Sequence, residues 1–327
     1  MGEAKWRTVL HVQPPLHSAD IARHGDFTCD LLRGLSMLRR AVRTVLLIAL
    51  CCVFLGEAAA AELGGESDIR LIVRADDIGS SHAANVGCIE SYRNGIVRSV
   101  EVMVPCAWFE EAVRMLNENP GLDVGVHLTL TSEWDRCKWR PLTPGPSLVN
   151  ANGYFYQMTR QGKQWPAGTG FLEANPKTEE VEAELRAQIE LAVRRIKNVS
   201  HLSAHMGTAV CRPDLSALVD KLAKEYNLHV DLKAHNVQHV RGMGDGKLPP
   251  ETRPDALAET LESLTPGLWL LVEHPARDTP EMRAIGHKGY EHVANDREGV
   301  TRAFTSEKVK EVVQRKNIRL MSYGDFK

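Results

Sequence analysis

The chain is short of the features that most directly mark a function. Its seven cysteines show no C-x-x-C spacing, so a zinc–thiolate site has no support. No glycine-rich phosphate cradle follows any apolar strand pattern. The formal net charge over 327 residues is only -2, which gives no electrostatic reason for a nucleic acid as partner. No apolar run reaches the about 20 residues that a membrane-spanning helix needs. Charged residues make up 25%, an ordinary share that points to neither disorder nor a coiled coil. Aromatic residues are only 6%, yet many of them crowd into one irregular stretch.

The first informative segment is near the N-terminus. Arg39, Arg40 and Arg43 precede the apolar run from Val45 to Leu55, and the small residues Ala58 to Ala61 follow. Basic, apolar and small blocks in that order match a secretory signal. Met37 stands just before the basic cluster. We therefore expect residues 1–36 to be an upstream extension of the reading frame, 37–61 a signal peptide, and 62–327 a single exported domain. That domain would be periplasmic or extracellular, with no stable membrane span after processing. Cys51 and Cys52 raise a lipid anchor as the alternative, although Ala49-Leu50 is a poor lipobox. Cys88, Cys106, Cys137 and Cys211 would remain, and no bridge is expected among them.

From Ile69 onward, apolar runs of strand length alternate with segments of helical spacing. Strands are expected at 69–75, 99–104, 124–130, 201–205, 227–232, 268–272 and 318–322. Helices are expected at 81–92, 108–117, 177–197, 213–226, 255–264 and 306–316. This alternation implies a parallel sheet with crossover helices, an α/β fold of the (β/α)-barrel kind, distorted or incomplete. Between the third strand and the long helix lies an irregular stretch, about 131–176, holding Trp134, Trp139, Tyr154, Phe155, Tyr156, Trp165 and Phe171. A disordered linker would be poor in aromatics. We read it as an ordered insertion whose Trp134, Trp139 and Trp165 either stack on a sugar or form a satellite core.

The polar candidates share a location. Asp76 and Asp77 end the first expected strand, His127 lies in the third, His205 ends the fourth, and His274 follows a later one. In a (β/α) barrel these ends converge on one face. Adjacent strand residues point to opposite sides, so Asp76 and Asp77 can serve one site only if the chain is already turning, as Ile78-Gly79 suggests. One would then be a ligand and the other a base. Alternatively, Asp77 caps the following helix. His201 and His205 are four apart and share a strand face, so His201 could support a ligand or touch substrate. One carboxylate and two histidines at successive strand ends suit a catalytic divalent metal.

Several segments, in order, resemble the YdjC-like carbohydrate deacetylase family, which includes chitooligosaccharide deacetylases. These are Leu71-Ile72-Val73-Arg74-Ala75-Asp76-Asp77-Ile78-Gly79, Asn94-Gly95-Ile96-Val97-Arg98-Ser99, Gly125-Val126-His127-Leu128-Thr129-Leu130 and Arg140-Pro141-Leu142. Asn152-Gly153-Tyr154-Phe155, His201-Leu202-Ser203-Ala204-His205, Glu273-His274-Pro275 and Ile318-Arg319-Leu320-Met321-Ser322-Tyr323 complete the set. The resemblance implies a distorted (β/α) barrel and hydrolysis of acetyl groups from N-acetylated sugars or oligosaccharides. It implies one divalent ion, zinc or magnesium, on Asp77, His127 and His205, with Asp76 as general base. His274 is the candidate general acid. The sequence departs from the family at Ser203-Ala204, where an acidic residue often precedes the second metal histidine. A homodimer is compatible with the resemblance. Two other functions are to be weighed: a different metal hydrolase such as a phosphoesterase, and a carbohydrate-binding barrel without turnover.

Overall fold

The computed structural model describes residues 68–241, 243 and 248–327. The expected signal segment therefore lies outside the described residues. Seven strands form one sheet in which every pairing is parallel. They are β1 (Ile69–Ile78), β2 (Ser99–Val102), β3 (Asp123–Leu128), β4 (Val199–Ala204), β5 (Gln238–His239), β6 (Gly267–Glu273) and β7 (Arg319–Met321). Hydrogen bonds run in the order β4-β3-β2-β1-β6-β5. β6 lines one edge of β1 along residues 69–75, while β7 and β2 share the other, β7 beside 70–72 and β2 from Arg74 on. The sheet curls into a half-barrel: no ladder joins β4 to β5 among the described residues.

The helices are α1 (His82–Arg93), α2 (Phe109–Asn117), α3 (Thr178–Arg195), α4 (Pro213–Glu225), α5 (Arg253–Glu262), α6 (Pro280–Arg283), α7 (Val293–Thr305) and α8 (Glu307–Arg315). Among the described residues, none is long and apolar enough to cross a membrane. Strand periodicity divides the core in two. Leu71, Val73, Val100, Val102, Val124 and Val126 belong to the large cluster that also holds the helical Leu185, Ile189 and Val300. Ile72, Leu268, Leu270, Met321 and Tyr323 form a smaller one on the concave side. The four cysteines within the domain are free thiols.

Most expected elements form within two residues of their predicted ends; β1 runs three residues further, to Ile78, and the strand expected at 227–232 does not form. Residues 227–232 alternate as a strand should, but Asn227 takes φ 55° after α4, and the Asp231 side chain accepts from the amides of Lys233 and Ala234 to start a short 3-10 turn. The fifth strand is instead the two-residue β5. Helix α7 has no counterpart in the sequence reading. Its buried residues include Arg297, Glu298 and Thr301 between Val293, Val300 and Phe304, so polar side chains interrupt the apolar periodicity.

The insertion between β3 and α3 is ordered. Leu148, Phe155 and Phe171 are fully buried, and isolated bridges join Thr131 to Tyr156, Val149 to Phe155 and Met158 to Gly170. Helix α3 clamps it. Glu184 accepts from the amides of Leu142 and Thr143 at 3.1 and 2.9 Å, and Gln188 pairs with both backbone groups of Thr129 at 2.9 and 2.8 Å.

Candidate metal and catalytic site

The C-terminal ends of β1, β3, β4 and β6 deliver their polar residues to one cavity of about 430 Å3, lined among others by Asp76, Asp77, His127, His205, His274 and Arg297. That volume suits a small ligand. The question of two adjacent carboxylates is resolved by backbone irregularity. The β1–β2 register shifts between Ala75 and Ile78. Asp77 then takes φ 74° and Gly79 φ 100°, so both aspartates face the cavity instead of opposite sides of the sheet. At Gly79 a side chain would meet the Met103 carbonyl at 2.9 Å. Capping of α1 falls to Ser81, whose hydroxyl accepts from the Ala84 amide at 3.1 Å, and Asp77 is free of that role.

One atom each from Asp77, His127 and His205 lie within 4.8 Å of one another, and all three residues are buried. Asp77 Oδ1 is 3.7 Å from His127 Nε2 and 3.4 Å from His205 Nδ1. It is buried and makes no hydrogen bond. Its sister Oδ2 accepts from Arg297 Nη2 at 2.7 Å. A buried carboxylate oxygen without a donor is costly, and a cation between it and two imidazoles removes that cost. The donor set fits a divalent ion.

The three residues differ in their electrostatics. Burial works against the Asp77 carboxylate, yet Arg297, His205 and His274 hold its pKa well below the usual range. Burial pushes His127 down to about 4 against the pull of Asp76, so this ring is neutral, as a ligand must be. Burial also opposes charge on His205, but Glu133 and Asp77 raise it to about 10.

Each histidine has a polar backstop. His205 Nε2 lies 2.9 Å from Glu133 Oε2, the carboxylate–histidine arrangement that orients metal ligands. His127 Nδ1 lies 2.7 Å from Ser203 Oγ. His205 opens a 3-10 turn, where Met206 at φ 52° and Gly207 at φ 67° bend the chain away from β4. Asp76 receives a bidentate pair from Arg74 at 2.8 Å per bond, and its Oδ2 is 3.7 Å from His127 Nε2.

The structure therefore brings Asp76, Asp77, His127, His205 and His274 together. Trp134 also lines the cavity, stacked near His287 with 5.5 Å between ring centroids. Trp139 and Trp165 do not line it. Trp139 is buried, with its indole N–H donating to the Thr131 carbonyl at 2.7 Å, and Trp165 packs edge-on against His287 at 5.1 Å. His201 is also removed from the cavity. It is buried deeper in the barrel, paired with Glu101 at 2.6 Å and stacked on Tyr323 at 3.7 Å. The expectation that His201 touches substrate does not match that placement, because the His127–Ser203 layer lies between. Sequence reasoning passed over Arg297, Glu133 and Glu101, which stand on the unrecognised α7, in the insertion, and inside β2.

A model of the YdjC-like protein family matches residues 70–315. A carbohydrate deacetylase from Thermus thermophilus is 36% identical over 237 residues, covering 66% of this chain and 80% of that protein. Carbohydrate deacetylases from Brevibacillus brevis and Listeria innocua are 36% and 37% identical over half of this chain, a stretch that spans 58% and 60% of those proteins. Among solved structures, a protein assigned provisionally to cellobiose-phosphate cleavage in Enterococcus faecalis superposes with TM-score 0.61. It shares 26% identity, over 79% of this chain and 98% of that one.

Proposed function

The chain belongs to the YdjC-like protein family, and on that premise we propose that it is a carbohydrate deacetylase, a hydrolase that removes acetyl groups from N-acetylated sugars. We further propose that Asp77, His127 and His205 hold one divalent ion. The observation that carries this reading is the unpartnered, buried Asp77 Oδ1 facing two imidazole nitrogens in a cavity that also holds Asp76 and His274. Two imidazoles with one carboxylate suit zinc, whereas magnesium prefers oxygen donors.

A divalent ion there supplies a Lewis acid and a more acidic water. Asp76 stands beside the ligands without being one of them, and it accepts the proton of the attacking water. Arg74 fixes the Asp76 carboxylate in the plane that presents its remaining lone pairs to the cavity. An amine leaves poorly unless protonated, and His274, just past the C-terminal end of β6, donates that proton. Trp134 gives the cavity an apolar wall for a sugar face.

The test is mass spectrometry of N-acetylated oligosaccharides incubated with the purified protein, with and without a chelator. Loss of an acetyl mass that stops when metal is stripped supports the reading. Release of phosphate from phosphoesters with acetylated sugars untouched would overturn it.

A further inference from the structure

Glu101 is a carboxylate inside the barrel that faces neither the cavity nor solvent. It sits on β2 with no exposed surface. One oxygen lies 2.6 Å from His201 Nε2, and the other accepts from the Ser203 hydroxyl. Arg74 Nε is 3.8 Å away. Ser203 Oγ in turn is 2.7 Å from His127 Nδ1.

A serine hydroxyl has one proton. When that proton is directed at Glu101, the oxygen can only accept from His127. The ring must then carry its proton on Nδ1 and leave Nε2 bare, 3.7 Å from both Asp76 Oδ2 and Asp77 Oδ1. The direction of the relay depends on Glu101 being an anion. Burial works against that charge, but His201 and Arg74 bring its pKa down to about 2.

We propose that Ser203 and Glu101 are positioning residues that lock His127 in the tautomer with a bare Nε2, achieving through a hydroxyl relay what Glu133 does for His205 by direct contact. As a statement about ligand geometry it rests on the Asp77–His127–His205 reading. The relay gives Ser203 a physical role: it connects the Glu101 carboxylate on β2 to the His127 ring on β3 through one hydroxyl.

The experiment uses the full chain with 15N-labelled histidine, stripped of metal, and two-bond 1H–15N correlations that report which ring nitrogen of His127 carries the proton. Zinc affinity of the same samples is measured by competition with a chromophoric chelator. The wild type is expected to show the Nδ1–H tautomer. Ser203→Ala should lose that preference and bind zinc about 10- to 100-fold more weakly. Ser203→Thr, which keeps the hydroxyl, should retain the tautomer and hold affinity within about threefold of wild type. A Ser203→Ala protein with wild-type tautomer and wild-type zinc affinity would overturn the relay. If the wild type shows the tautomer lock and Ser203→Ala loses it, while neither binds zinc, the relay stands and the metal site falls. Comparing the thermal midpoints of the metal-free variants separates a positioning effect from a folding defect, because only the latter lowers the midpoint of Ser203→Ala and spares Ser203→Thr.

Discussion

Asp76 and Asp77 are neighbours in the chain with opposite company. Both oxygens of Asp76 are engaged by Arg74, whereas Asp77 gives one oxygen to Arg297 and leaves the other without a donor. That contrast separates their roles. Asp76→Asn keeps an acceptor for Arg74 but loses the capacity to take a proton. Turnover should fall by about a hundredfold or more while metal content stays near that of wild type. Asp77→Asn should lose the metal as well. Acetate release together with elemental analysis of the two variants reads both quantities, and metal loss in Asp76→Asn would mean the two roles are exchanged. The sequence made these residues visible because each polar side chain interrupts or ends an apolar strand. Glu101, Glu133 and Arg297 were not visible for the converse reason. In Ser99-Val100-Glu101-Val102 a charged residue alternating with valines reads as the solvent side of a strand, and only the curl of the sheet turns that side into a barrel interior.

At the scale of elements, strands and helices were legible where one face is apolar, and less so where polar residues share the buried face. Helix α7 buries Arg297 and Thr301 against β1 and the loop after β6, and it contains Gly299, where a side chain would meet Arg253 Cγ at 2.7 Å. Glycine, threonine and charge interrupt the apolar spacing of Val293, Val300 and Phe304, although this helix supplies the Asp77 partner. β3 shows the same interdependence from the glycine side. A methyl group on Gly125 would lie 2.2 Å from Glu101 Oε2 and 2.5 Å from His201 Nε2. The glycine two residues before His127 is thus the space in which the Glu101–His201 pair fits. Both side chains are buried and paired with each other. Gly125→Ala should cost about 1–3 kcal/mol of stability, measured as a lowered denaturant midpoint with unchanged slope, and should weaken zinc binding through the displaced Ser203 relay. A midpoint equal to wild type would show that the pair shifts freely and that Gly125 is required for some other reason.

For the whole molecule, the polar layer beneath the cavity also acts as a joint. Glu101 and His201 link β2 to β4, Arg74 adds β1, and the Asp123 carboxylate at the start of β3 accepts from the Tyr323 amide at 3.1 Å and the Ser99 hydroxyl at 2.7 Å. Tyr323, in the turn after β7, stacks on His201. Four strands and the C-terminal turn thus meet around one buried anion, so titrating that anion should register as global unfolding. Burial opposes the charge, but His201 and Arg74 bring the Glu101 pKa from its ordinary 4.5 to about 2 in the folded state. A depressed folded-state pKa means that the native state holds fewer protons than the unfolded chain. The stabilisation is therefore complete above about pH 4.5 and lost as the pH falls toward 2, and it amounts to no more than ~3 kcal/mol. Glu101→Gln should be less stable than wild type at neutral pH, because it removes the buried charge around which His201, Ser203 and Arg74 are arranged. The gap between the two proteins should narrow through the window from pH 4.5 to 2, as wild type loses by protonation what the variant already lacks. Urea midpoints for both proteins across that window measure the gap. A constant difference from neutral pH down to pH 2 would mean that Glu101 is not the group whose charge binds the strands together.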